Sequence, residues 1–345
     1  MFRCSKVNPS KVLTLFIMLL ITKTLHAQSD TAQKAQSINA TSFTTYIDGY
    51  YRADFAGLQS NNKTSFTNSN NSLQLGMASF KVDQTLGKFA GTVDLGVGKR
   101  VDEFSYNDKG LATAVKQAYI SYAPNSIVKF TVGKWATHIG YELLDAYSNR
   151  NYSMSYGFSY GPFFHTGLRA DITLGGKSAL MVGVAEPNDI TNAKMEAKMI
   201  IAQFSTGTKD DKLKAFLNYQ GGKDKDQFDL VLNGVVTSQF GINYDGTVCN
   251  LSGTSWTSNA VYFNYDPSAK VGFALRSEYF NDSKGAAGVG TSIFGNTLSM
   301  NIHLGKLTLI PELKLDNANE KIFLSKAHAA TVVAGNFLLA AVYKF

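Results

Sequence analysis

From about residue 43 onward, apolar and polar residues alternate with a period of two in one segment after another. Thr166, Leu168, Ala170, Ile172 and Leu174 share one face, while Gly167, Arg169, Asp171 and Thr173 share the other. Phe89, Gly91, Val93, Leu95 and Val97 oppose Ala90, Thr92, Asp94, Gly96, Gly98 and Arg100 in the same way. A period of two is that of a β-strand, whose successive side chains point to opposite faces. Val, Ile, Thr, Tyr and Phe fill these segments, and turn residues separate them. Sixteen strands are predicted, at roughly 43-56, 72-86, 89-100, 113-123, 127-137, 165-175, 178-186, 196-206, 212-221, 227-236, 239-247, 254-265, 270-281, 292-303, 306-316 and 331-345.

The predicted connectors alternate between short and long. Short ones include Leu86-Gly87-Lys88, Gly175-Gly176-Lys177, Thr237-Ser238 and Leu304-Gly305-Lys306. Longer or more polar ones fall between them, near 57-71, 101-112, 138-164, 187-195, 222-226, 248-253, 282-291 and 317-330. An up-and-down barrel with tight turns at one rim and loops at the other produces this rhythm. A soluble β-sandwich does not require it, although strand alternation alone would suit one.

Charges in mid-strand say what the two faces meet. Arg169 lies beside Asp171, and Arg276 beside Glu278, on faces opposite to apolar ones. A charge is costly against hydrocarbon and cheap against water. The predicted fold is therefore all-β, a transmembrane up-and-down antiparallel barrel of about 16 strands, a size that leaves an aqueous interior. Its predicted lining residues are Asp48, Arg52, Asp94, Arg100, Arg169, Asp171, Lys214, Arg276, Glu278, Glu312 and Lys314. Tyr50, Tyr51, Tyr119, Tyr122, Tyr262, Tyr265, Tyr279 and Tyr343 are predicted to form an interfacial aromatic girdle.

The two ends add context. Arg3, Lys6 and Lys11 precede the apolar run Val12 to Ile21, and Leu25-His26-Ala27 follows, the layout of a cleaved secretory signal over 1-27. Residues 28-42 read as a short periplasmic tail and 43-345 as the barrel. In the final segment Phe337, Leu339, Ala341, Tyr343 and Phe345 share one face. A strand ending in Phe345 is expected to be read by barrel-assembly machinery. Outer-membrane lipid and lipopolysaccharide are the expected surroundings.

Composition narrows the chemistry. The chain has 345 residues, 44% hydrophobic and 12% aromatic, with a formal charge of +7. Loss of the signal would remove four cations, so the basic balance gives no reason to expect nucleic acid. Cys249 would be the one cysteine left, which excludes a disulfide framework and a cysteine metal site. His138, His165, His303 and His328 are scattered, without metal-ligand spacing. No enzyme, cofactor or metal is expected. A Ser-His hydrolase pairing His138 or His165 with Ser153 or Ser155 is the weaker reading. Asp189, Asp224, Asp226 and Asp282 are expected as solvated loop charges, with cation binding the weaker reading.

The connector 138-164 is the longest and carries six aromatic residues between Tyr147 and Phe163 at Tyr147, Tyr152, Tyr156, Phe158, Tyr160 and Phe163. Long connectors rich in aromatics are functional more often than disordered. It is expected to fold into the lumen and narrow it. Glu142, Asp145 and Arg150 would then set a transverse field, and Tyr147, Tyr152 and Tyr156 its shape.

Gly133-Lys134-Trp135, Gly140-Tyr141-Glu142, the run Asn149 to Ser155 and Pro162-Phe163-Phe164-His165-Thr166-Gly167 resemble the central segment of the OmpL-like β-barrel porins of Gram-negative outer membranes. Met154 departs from that pattern, which often has a basic residue there. The resemblance implies a porin-like barrel and no defined substrate. The expected function is passive diffusion of small hydrophilic solutes, with weak ion selectivity because both signs line the wall. The alternatives are a substrate-specific channel and a plugged barrel acting as adhesin or structural anchor. A homo-oligomer is among the assemblies this reading allows.

Overall fold

The computed structural model describes residues 39–194 and 197–345. The expected signal and most of the expected tail lie outside the described residues. The barrel strands are β1 (Ala40–Asp54), β2 (Ser72–Leu86), β3 (Phe89–Val97), β4 (Val115–Tyr122), β5 (Val128–Ala136), β6 (Phe164–Gly175), β7 (Ser178–Ala185) and β8 (Met199–Gly207). They continue as β9 (Leu213–Gly222), β10 (Lys225–Val235), β11 (Phe240–Leu251), β12 (Thr254–Ser268), β13 (Val271–Asn281), β14 (Ser292–Leu304) and β15 (Leu307–Ala318). Two-residue strands β16 (Phe323–Leu324) and β17 (Ala330–Thr331) form a separate hairpin in a loop, and β18 (Val333–Lys344) completes the barrel.

Every barrel strand is antiparallel to its neighbours, and β1 pairs with both β2 and β18. The sixteen-strand sheet therefore closes without an edge, and its backbone groups are satisfied within the sheet, as hydrocarbon requires. Each predicted segment is a strand, with boundaries shifted by a few residues. β1 begins at Ala40 because Ala40 to Phe43 pair with Thr85 to Val82. β3 stops at Val97 because Gly98 takes φ 122° and the chain enters a helix, Lys99–Phe104. Arg100 is thus a loop-helix residue and not a strand residue.

Tight turns such as Gly87-Lys88 and Gly305-Lys306 share one rim, here the turn rim. The longer connectors share the other, the loop rim. Two of the connectors expected to be long or polar are polar but short. Only Lys223 and Asp224 separate β9 from β10, and only Ser252 and Gly253 separate β11 from β12. Ser252 and Gly253 both have positive φ, 47° and 89°, the conformation of a two-residue hairpin turn. Asp226 lies on β10 rather than in a loop.

Leu168, Leu174, Phe273, Phe337, Leu339 and Tyr343 point outward and are exposed. The expected girdle is only partly formed. Tyr122, Tyr265, Tyr279 and Tyr343 are exposed, but Tyr50 and Tyr262 are each 2% exposed inside the barrel. Tyr119 packs inward against a cluster of Trp135, Met181, Ala185 and Ile201. The alternation explains this: Tyr50 shares its face with Asp48 and Arg52.

Candidate functional site

Loop 137–163 leaves the end of β5, runs inside the barrel and returns to β6. A buried irregular segment has backbone N–H groups with no sheet or helix partner, and each must be satisfied. Carboxylates of the inner wall accept many of them. Asp229 accepts Gly140 N at 3.1 Å, and Asp245 accepts Tyr141 N at 3.0 Å. Glu312 accepts Tyr152 N at 2.8 Å, and Glu278 accepts Tyr156 N at 2.7 Å. Asp189, in the β7–β8 connector, accepts Phe163 N at 2.7 Å and Phe164 N at 3.0 Å. Such charge-assisted bonds are roughly twice as strong as neutral ones.

The loop carbonyls are met by cations. Arg276 donates to Ser153 O at 2.7 Å and Met154 O at 3.1 Å, while also pairing with Glu142 at 2.7 Å and Glu278 at 3.1 Å. Arg100 donates to Leu144 O and Tyr152 O, and its guanidinium lies 4.8 Å from the Tyr152 ring centroid. Lys116 bridges Asp94 at 3.1 Å and Asp145 at 2.5 Å. The loop thus touches walls on both sides of the barrel.

Apolar packing fills the space between these anchors. Tyr152, Met154, Phe158 and Phe163 join Tyr46, Tyr50, Met77, Leu338 and Ala340 of the wall in one buried cluster. Phe66 of the β1–β2 loop and Val101 and Phe104 of the Lys99–Phe104 helix complete it. Ser155 caps the short helix Tyr156–Tyr160, its Oγ accepting Phe158 N at 3.0 Å. Such Ser caps are favoured because they satisfy a free N–H at a helix start. Tyr156 stacks on Phe280, and Tyr160 donates to Lys63 O of the β1–β2 loop.

Six predicted constriction residues lie on this loop but at different depths. Glu142, Tyr152 and Tyr156 are buried in mid-lumen. Tyr152 Oη donates to Asp48, and Tyr156 Oη to Asp316 at 3.0 Å. Asp145, between Lys116 and Tyr46, stands nearer the turn rim. Tyr147 lies beneath Lys344, whose Nζ is 4.1 Å from the ring centroid. Arg150 reaches the turn rim, where it forms a bidentate pair with Asp266 at 2.6 Å and 2.6 Å.

The predicted lining residues fall into three groups. Asp48, Arg52, Asp94, Arg276, Glu278, Glu312 and Lys314 point inward, yet none is more than 2% exposed. They hold protein rather than water, because the loops occupy their half of the lumen. Arg100 does the same from its helix. Arg169 and Asp171, 3.7 Å apart, are half-buried on the inner wall, and Lys214 is exposed at the turn rim. Of the expected lining residues, only these last three keep side chains that are not fully buried.

Sequence reasoning missed several anchors. Asp229 and Asp245 are inward mid-strand charges and could have been found by the rule that found Arg276; Lys116 sits at a bulge near the start of β4, where alternation alone would have pointed it outward. Lys134, 3.0 Å from Asp108 and 3.7 Å from the Phe164 ring centroid, could not be found that way either. Lys134 shares strand parity with the outward-facing Val132, and its burial comes from loop residues Asp108 and Thr191, both 3.0 Å from its Nζ. Asp189 and Asp282 were expected as solvated charges, but both are buried. Asp282 accepts Ala287 N, Val289 N and Gly290 N and so shapes its own loop. His138 and His165 lie 5.0 Å apart by ring centroids, bonded to Tyr219 O and Thr137 Oγ1 rather than to Ser153 or Ser155.

Below the loop, on the turn-rim side, a cavity of about 920 Å³ stays open. Loop residues 146–150 form one side, and the ends of β12, β14, β15 and β18 form the other.

Several solved structures share this architecture at low sequence identity. The outer membrane channel DcaP of Acinetobacter baumannii superposes with a TM-score of 0.62 at 11% identity, over 91% of this chain and 99% of that one. OmpF of Salmonella typhi, solved with daunomycin, gives 0.61 at 11% identity over 89% and 98%. An anion-selective porin from Comamonas acidovorans gives 0.58 at 10% identity over 89% and 100%. No curated protein sequence matches the chain. The family model described as "Putative beta-barrel porin-2, OmpL-like" matches residues 40–345. With that match spanning the whole barrel, the chain belongs to the OmpL-like β-barrel porin family of the outer membrane.

Proposed function

We propose that this porin is a diffusion channel for small hydrophilic solutes whose passage is set by loop 137–163. The observation that carries the reading is the polar, charged inner face of a closed sixteen-strand barrel. A barrel needing only an anchor could fill its interior with apolar side chains; a charged wall is stable where water or charged partners are present. Glu142, Tyr152 and Tyr156 would form part of the narrowest region, where the loop is held against the arc of wall from β13 to β1. Arg150 and Tyr147 would shape the exit at the turn rim, and Arg169, Asp171 and Lys214 the wetted wall. A cleaved signal over 1-27, recognition of Phe345 by assembly machinery and contact with lipopolysaccharide belong to the same reading.

A second reading is favoured by one observation, the near-complete burial of inner-wall charges under the loop. In that reading the barrel is plugged at rest and conducts only when the loop moves. Swelling of liposomes carrying the purified protein, in sugars of graded size, separates the two. Uptake of small sugars by the wild type, with a sharp size cut-off, supports the diffusion channel. No uptake by the wild type but uptake after deletion of 145–158 supports the plug. No uptake by either protein contradicts both.

A further inference from the structure

The charges around the turn-rim cavity do not balance. Asp266 is its only lining carboxylate, and Arg150 occupies both of its oxygens. Lys306 and Lys344 line the same cavity and have no carboxylate partner among the described residues. Lys344 rests over the Tyr147 ring, which orders it without neutralising it. His303 is exposed there, with Nδ1 engaged by Thr308 at 3.1 Å. Ser148 of the loop apex adds a hydroxyl on the opposite side. Lys88 and Lys270 carry the same sign around the rim.

A concave cavity with unpaired cations and walls of low dielectric focuses its field and concentrates counter-ions. We propose that this vestibule is a binding site for small polyanionic solutes, molecules with two or more carboxylate or phosphate groups. Two free ammonium groups suit a ligand with two anionic ends, and hydroxyl and imidazole donors suit the oxygens between them. The volume of about 920 Å³ admits a molecule the size of citrate with part of its hydration shell. Because Ser148 and Arg150 belong to loop 137–163, an occupant would also touch the segment proposed to set passage. That link deepens the channel reading; the binding itself does not depend on it.

Calorimetric titration of the full chain in detergent tests this, with citrate as probe and ionic strength held constant by KCl. Saturable binding is expected for the wild type, with no heat from an uncharged sugar of similar size. The double variant Lys306→Gln/Lys344→Gln should bind citrate at least about fivefold more weakly, as removal of two attracting charges implies. Lys177→Gln, on a distant turn, should bind like the wild type. Both lysines of the double variant are exposed, so its fold can be checked by gel mobility before and after heating. Absence of saturable citrate binding in the wild type, or equal binding by the double variant, overturns the proposal. Liposome swelling with uncharged sugars reads transport separately, so either claim can fail alone.

Discussion

Arg276 shows how a single residue carries the interior. Its guanidinium holds two carboxylates, two loop carbonyls and Thr297 Oγ1, with no exposure to solvent. The charge pattern beside Glu278 makes its inward direction legible in the sequence. Its partners are not, since Ser153 lies 123 positions away in the chain. Arg276→Met would leave Glu142 and Glu278 buried without their cation and cost about 3–5 kcal/mol, read as a lower urea midpoint in detergent. A companion Glu142→Gln should recover part of that loss. Asp189 gives the residue-scale pH prediction. Burial pushes its carboxyl up to about 6, against an ordinary value of 3.8, while two backbone N–H groups hold it in place. Because the folded value is the higher one, the stabilisation is complete below the ordinary value and lost as pH rises through about 6. Asp189→Asn should therefore flatten the change in unfolding midpoint between pH 4 and 7, measured by intrinsic fluorescence. An unchanged slope would show that Asp189 does not titrate in this range.

At the scale of elements, strands were legible because each meets two different surroundings along its length and records both in its alternation. The departures have local causes. Gly98 takes positive φ and turns the chain into a helix, which hid the true place of Arg100, and loop residues from distant positions cover Lys134. The Ser252-Gly253 turn hid in a polar stretch that resembled a loop. Gly133 also shows what the close pairing of β4 with β5 demands. A Cβ there would run into Ala118 O and lie 2.7 Å from Tyr119 Cα, both backbone, in a conformation that side chains rarely adopt. Gly133→Ala should cost about 1–3 kcal/mol and lower the folded yield, seen as less of the heat-modifiable band on a gel. Gly272 offers a contrast: the atoms nearest a Cβ there are the ends of the Asp266 and Arg150 side chains, not backbone. Gly272→Ala should spare the barrel and loosen the loop apex, seen as added noise in single-channel current.

The molecule as a whole combines a wall built for two solvents with an interior largely occupied by its own chain. Closure of β1 on β18 removes the sheet edge, so the outer face can sit in hydrocarbon. Inside, carboxylates on β10, β11, β13 and β15 serve as partners for a loop that is largely irregular apart from its short helix Tyr156–Tyr160. That arrangement ties the loop's position to the wall, and on it rests the proposal that the loop controls the path through the lumen. Single-channel conductance in a planar bilayer tests this most directly, comparing the wild type with a chain lacking 145–158. Removing the segment should raise conductance severalfold, because the wall charges it covers would then face water. Equal conductance from the two proteins would contradict the account, since the path would then run where the loop is not.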